Sequence, residues 1–139
     1  MSAVPHQASC VAIDGRGVLI EGPPGSGKSS LALALIDRGA TLVGDDGVLL
    51  EPREGKLWAL PPANIAGLIE IRNVGIATLP VEAAPVALVL RLDAGAPRQP
   101  EAPDDVVLAG VKLPLIRLWP DAPALPLRAE WALNVHGLD

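Results

Sequence analysis

The sequence predicts an α/β domain built on a phosphate-binding loop, with a mixed β-sheet around the helix that follows the loop. Three observations carry this. Gly22-Pro23-Pro24-Gly25-Ser26-Gly27-Lys28-Ser29 fits the pattern G-x-x-x-x-G-K-[ST] at every fixed position. A strand-like apolar run precedes it and a helix-like run follows. The chain has 139 residues, 50% of them apolar, which suits one domain over 1–139 with a real core.

Each element has a local reason. Cys10 to Ile13 and Val18 to Glu21 are apolar runs separated by Asp14-Gly15-Arg16-Gly17, a hairpin signal. The Gly/Pro run of the loop cannot continue a strand. A helix is expected from Lys28 to Arg38, with Leu31, Leu33, Leu35 and Ile36 as its apolar residues. Arg38 followed by Gly39 is a stop signal: a cation near the carbonyl end, then a residue that accepts positive φ. Thr41 to Val43 reads as a short buried strand ending at Gly44-Asp45-Asp46-Gly47. Val48 to Glu51 and Lys56 to Leu60 read as strands joined by a turn over Pro52–Gly55. Leu68 to Arg72 reads as a strand, and Val86 to Leu92 as a strongly apolar one. Ala94 to Pro103 is Pro-rich and polar, hence a loop. Leu108 to Trp119 is apolar but interrupted by Pro114. Arg128 to Val135 closes the chain as a short helix.

Composition excludes several classes. Eleven basic against sixteen acidic residues give −5, with no Lys/Arg run, which argues against nucleic-acid binding. One cysteine, Cys10, excludes an internal disulfide framework and a Cys-based zinc site. No apolar stretch reaches the ~18 residues of a membrane span. Met1 to Gln7 lacks a basic cluster leading into an apolar run, so a cytoplasmic protein without a leader is expected.

The loop dictates a chemistry. Its glycines let backbone N–H groups turn toward phosphate oxygens, and the helix behind it presents unpaired N–H groups. Lys28 offers a charge to the β/γ-phosphates, and Ser29 a hydroxyl to Mg²⁺. Ser30 follows at the helix start. ATP and Mg²⁺ are the expected ligands. A carboxylate must serve the metal, and two places offer one. Asp45-Asp46 ends the strand that the loop helix leads into. A β-α-β crossover would bring its carboxyl end to the edge where the loop lies. Asp93 ends the apolar run from Val86, as a metal-ordering acid or simply as a strand-end turn residue.

Further residues extend the pattern: Leu35-Ile36-Asp37-Arg38-Gly39-Ala40-Thr41-Leu42-Val43-Gly44-Asp45-Asp46, then Gly67-Leu68-Ile69-Glu70-Ile71-Arg72-Asn73-Val74-Gly75-Ile76. From Ala8 to Ile76 the chain resembles the HPr kinase/phosphorylase catalytic domain, in the short form lacking that family's N-terminal domain. The resemblance implies an ATP-dependent serine kinase acting on HPr, a carrier of the sugar phosphotransferase system. It also implies the reverse reaction with inorganic phosphate, giving pyrophosphate. By the same resemblance Asp45 would be the acid/base. Asp46 would help at the metal or tune that base. Glu70 would join Ser29 on Mg²⁺, and Arg72 would bind phosphate or hold Glu70. A homohexamer is implied too. The family places a His before the first strand; here that place falls at Gln7, with His6 one residue off. The competing readings are a nucleotide-binding regulatory module with altered transfer and a small-molecule kinase on the same scaffold.

Overall fold

The computed structural model describes residues 3–139; Met1 and Ser2, the start of the segment read as leaderless, lie outside them. Among the described residues there are eleven strands and two helices, in the order β1 (Val4–His6), β2 (Ser9–Ile13), β3 (Arg16–Glu21), α1 (Lys28–Asp37), β4 (Thr41–Gly44), β5 (Val48–Arg53), β6 (Lys56–Leu60), β7 (Leu68–Ile71), β8 (Gly75–Thr78), β9 (Ala84–Leu92), β10 (Asp104–Leu108), β11 (Val111–Leu118) and α2 (Leu125–His136). The expected class holds: a mixed sheet around the loop helix. β7 and β8 form a separate ribbon.

β9 organises the sheet. Along one edge it runs parallel to β3, from Val86 to Arg91. Along the other, Ala84 and Pro85 pair antiparallel with β6, and Val89 to Leu92 pair parallel with β11. The sheet therefore branches at β9. One branch continues as β6-β5-β1 and the other as β11-β10. Beyond β3 come β2 and then β4. Both β3 and β4 are antiparallel to β2, so they run parallel to each other, and their carboxyl ends share one edge.

Burial explains the architecture. Val18, Ile20, Leu88 and Leu90 face α1 and α2, where Leu31, Ala32, Leu35, Ala129 and Leu133 meet them. Leu19, Val86 and Val89 point to the other face, which no helix covers. There the β1-β5-β6 branch curls over, bringing Val48, Leu50, Leu57 and Ala59 against Cys10, Leu113 and Leu115. With both faces buried, β9 reads as a continuous apolar run rather than an alternating one.

Several boundaries differ from expectation. The first hairpin turns on Asp14-Gly15 alone, because Arg16 and Gly17 already pair with Ile13 and Ala12. Pro52 and Arg53 belong to β5, and the turn is Glu54-Gly55. Leu33 is only half-buried; the core face of α1 is Leu31, Ala32 and Leu35. The expected stop after Arg38 holds: Gly39 has φ 112°, and Ala40 N–H reaches Leu35 O as Gly39 N–H reaches Ile36 O. Arg72 lies just past β7. β1, β8 and β10 were not expected, and α2 begins at Leu125, three residues before Arg128. Pro114, with no N–H to give, sits in β11 just before its pairing with β9 begins at Leu115.

Two measurements follow from this packing. Leu90 is fully buried between β3, β11 and the helices. Leu90→Ala is expected to lower stability by ~2–5 kcal/mol in chemical denaturation. A loss below ~1 kcal/mol would contradict the two-sided burial of β9. Cys10 is also fully buried, and burial pushes its thiol up to about 12. The native protein should resist a thiol reagent at mildly alkaline pH and react once denaturant is added.

Candidate active site

Strand β3 ends at Glu21, and the loop from Gly22 to Ser29 turns directly into α1. Gly27 caps the helix with φ 98°, a conformation a side chain would oppose, and no side chain occupies the capping position. The first-turn N–H groups are thus left for a ligand. Lys28 folds back over the loop, its ammonium donating to Gly22 O at 2.9 Å.

Across the loop stands Asp45. Its Oδ1 accepts the Ser29 hydroxyl at 2.5 Å and the Ser9 hydroxyl at 3.1 Å. Its Oδ2 accepts the Glu70 N–H at 3.2 Å. One carboxylate therefore ties the start of α1, the start of β2 and the β7–β8 ribbon. Ser9 in turn accepts the Asp46 N–H at 3.2 Å, so a single hydroxyl serves both acids. Asp46 has φ 59°, and its side chain is exposed. A β-bulge at Val43 precedes the pair, where Cys10 pairs with Gly44 but Val11 with Leu42. These groups line a cavity of about 500 Å³ that holds Lys28, Ser29, Asp45, Asp46, Glu70 and Arg72. Pro24, Gly25, Gly27 and Ser30 also border it, as does Gln7. Gly22, Pro23 and Ser26 lie on the other side of the loop, in a cavity of about 780 Å³.

Of the acids read from the sequence, Asp45, Asp46 and Glu70 converge on the first cavity with Lys28, Ser29 and Arg72, and Asp93 does not. Asp93 borders the second cavity, away from Ser29. Its carboxylate is engaged by Gly95 N–H at 2.8 Å and by the Arg117 guanidinium at 3.6 Å, as a strand-end turn residue would be. Sequence reasoning missed Ser9, a fully buried polar residue at the head of β2. Nothing in its local pattern marks it, because its partners lie 36 and 37 positions away.

It also missed the anchor beneath the loop. Glu21, the last residue of β3, receives the His6 ring at 2.8 Å and the Arg91 guanidinium at 2.9 Å. The His6 hydrogen bond and the Arg91 charge hold the Glu21 carboxyl below its ordinary value, against the opposing effect of burial. His6 is committed there, so Gln7 is the residue of this segment that faces the loop.

The family model described as HPr Serine kinase C-terminal domain matches residues 2–81, more than half of the chain. The chain belongs to that family. It is 38% identical over 122 residues to the HPr kinase/phosphorylase of Streptococcus thermophilus, covering 78% of this chain and 40% of that protein. It is 46% identical over 70 residues to the HPr kinase/phosphorylase of Clostridium tetani, covering 50% of this chain and 23% of that protein. The chain thus spans about 40% of the length of the first of these relatives. The structure of the Hpr(Ser) kinase/phosphatase from Coxiella burnetii superposes with a TM-score of 0.82 at 32% identity, covering 94% of both chains. The similarity to HPr kinase read from the loop, the paired acids and the Glu70–Ile76 segment is therefore borne out.

The Glu21 anchor has a pH signature. A carboxyl whose folded value lies below its unfolded value of about 4.3 stabilises the fold above that value. The contribution is lost as pH falls through the lowered folded value. Acid unfolding of the wild type should be steeper below about pH 4.3 than that of Glu21→Gln, measured by denaturation at a series of pH values. Parallel acid profiles would show that the anchor carries no such linkage.

Proposed function

We propose that this chain is the catalytic part of an ATP-dependent protein serine kinase/phosphorylase whose acceptor is an HPr-like phosphocarrier. The observation that carries the reading is the Asp45 carboxylate, which sits on the phosphate-loop serine beside Asp46, Glu70 and Arg72. The family and its named relatives support it.

The donor set suits ATP with Mg²⁺. The loop offers N–H groups and an ammonium for phosphate oxygens, and Ser29, the acids and Glu70 are hard oxygens. Among the described residues no three of His, Cys, Asp and Glu are placed as a metal cage. That suits an ion held by one or two protein oxygens plus phosphate oxygens and water. When bound, Mg²⁺ would neutralise charge on the transferring phosphoryl group. The chain's own residues do the rest. Lys28 leaves its loop carbonyl for the phosphates. Asp45 holds the Ser29 hydroxyl, which would turn its lone pair to the metal. Arg72 supplies charge at the mouth of the cavity.

The geometry favours an exchange of the two acids' expected roles. Asp45 is enclosed by three donors and belongs to the metal side. Asp46 is exposed beside it and can meet an incoming serine hydroxyl as proton acceptor, returning the proton in the reverse direction. One observation favours the alternative of a nucleotide-binding module with weakened transfer: Gln7 faces the loop, and an amide neither takes nor gives a proton at neutral pH.

Cytoplasmic location and a homohexamer accompany the proposal. Among the described residues no helix is long and apolar enough to cross a membrane.

The deciding assay is incubation with γ-labelled ATP and an HPr-like carrier. Label on a carrier serine is expected; nucleotide binding without label on any carrier would favour the alternative. Lys28→Ala should abolish transfer with the fold intact by circular dichroism. Asp46→Asn should keep ATP affinity and lower single-turnover transfer by ~10²–10⁴-fold. Asp45→Asn should instead weaken the Mg²⁺-dependent part of binding, and the reverse pattern would restore the roles read from sequence. Glu70→Gln is expected to raise the Mg²⁺ requirement and Asp93→Asn to leave it unchanged, read from transfer rates across a magnesium titration.

A further inference from the structure

We propose that the groove between α2, the end of β11 and residues 97–100 docks an acidic segment of a protein partner through an apolar anchor. The groove encloses about 610 Å³ and is distinct from both cavities at the phosphate loop. Its floor is apolar, formed by Ile116, Leu118 and Ala132. Two tryptophans flank it. Trp119 is fixed in place, its indole N–H donating to Ala96 O at 2.7 Å. Trp131 is 65% exposed.

Charge selects the occupant. Arg98, Arg117 and Arg128 line the groove, and no carboxylate does. Arg117 is taken by Asp93 and Asp104. Among the described residues Arg98 and Arg128 enter no ion pair. Arg128 lies over the Trp119 ring at 5.5 Å, presenting a guanidinium already held in one place. This positive pocket stands on a chain of net charge −5, so it runs against the sign of the whole surface.

The shape argues for a peptide. The apolar surface continues out of the groove along α2, where Leu127, Trp131 and Val135 form an exposed i, i+4, i+8 row. A small anion would use the arginines and leave that row uncovered. A nucleic acid would need more free cations than two. Tryptophan and arginine together are the residue types that carry most of the energy at protein interfaces. The groove also lies at a telling edge. β11 and β3 both run parallel to β9, so Trp119, just beyond β11, and the loop, just beyond β3, emerge on the same side of the sheet. A partner seated in the groove would stand next to the loop without occupying it.

The test uses the full chain and a fluorescein-labelled peptide of alternating Glu and Leu, read by anisotropy. Saturable binding is expected. It should weaken at least about tenfold in Arg98→Glu/Arg128→Glu and in Trp131→Ala, and weaken as salt rises. ATP affinity should be unchanged in all variants, which separates this outcome from any failure of the kinase assignment. Equal binding of the same peptide with Lys for Glu would overturn the proposal, since only apolar adhesion would be at work. Equal binding of single-stranded oligothymidylate would overturn it as well. So would sedimentation showing that the unliganded chain self-associates and that Trp131→Glu abolishes this, because a second copy would then own the groove. Exposed Trp131 and Arg128 make folding failure a minor risk, and circular dichroism of each variant checks it.

Discussion

A single strand bears the constraint on which the fold rests. β9 is buried on both faces and paired along both edges, so every other element must be arranged to cover or extend it. Two helices suffice for one face only. The other face must be closed by the sheet itself, and that requirement bends β6, β5 and β1 back over it. The same arrangement aligns β3, β9 and β11 in one direction. Their carboxyl ends, with the loops that follow them, collect on one rim. Placing functional groups there is the general habit of parallel strands in α/β folds, and here it follows from how the core is sealed.

The rim is held by charge and hydrogen bonding rather than by packing. Glu21 fixes the exit of β3 by binding residues from β1 and β9, so strands far apart in the chain converge on the residue before the loop. Asp45 does the equivalent work above the loop, binding groups from three elements. Both carboxylates are enclosed by donors, which lowers the cost of keeping a charge out of bulk water. The two anchors bracket the loop from below and above.

What could be read from the chain, and what could not, divides by range. The loop, its flanking strand and helix, and the stop at Arg38-Gly39 are local signals, and they appear where the pattern puts them. Asp45 and Asp46 were legible because a crossover rule connects them to the loop through one helix. Ser9, His6 and Arg91 were not. Each acts through a partner at least 15 positions away, and a lone serine or arginine on a strand has no periodicity to betray its role. β1 and β10 were missed for another reason. Both are short, polar or proline-bearing, and each owes its strand conformation to a neighbour, β5 or β11. Pro114 misled in the opposite sense, since proline inside a run argues for a break, yet here it falls short of the pairing that would need its N–H.

The ribbon of β7 and β8 carries one more consequence. It pairs with no strand of the main sheet, and Val74 and Ile76 on it are 79% and 72% exposed. Its attachments are the burial of Ile69, a backbone bond from Leu79 to Gly67 across its base, and the Glu70 N–H on Asp45. A two-stranded ribbon has little stability of its own. Its amides should therefore exchange with solvent deuterium through local opening, well ahead of those in β9, whose exchange waits for global unfolding. Glu70 on β7 and Arg72 just past it ride on this separate ribbon, while Lys28 and Ser29 start α1, which packs on the main sheet. The hydrogen bond from Glu70 to Asp45 is the point where an event at the rim would register in the exchange rate of a segment outside the sheet.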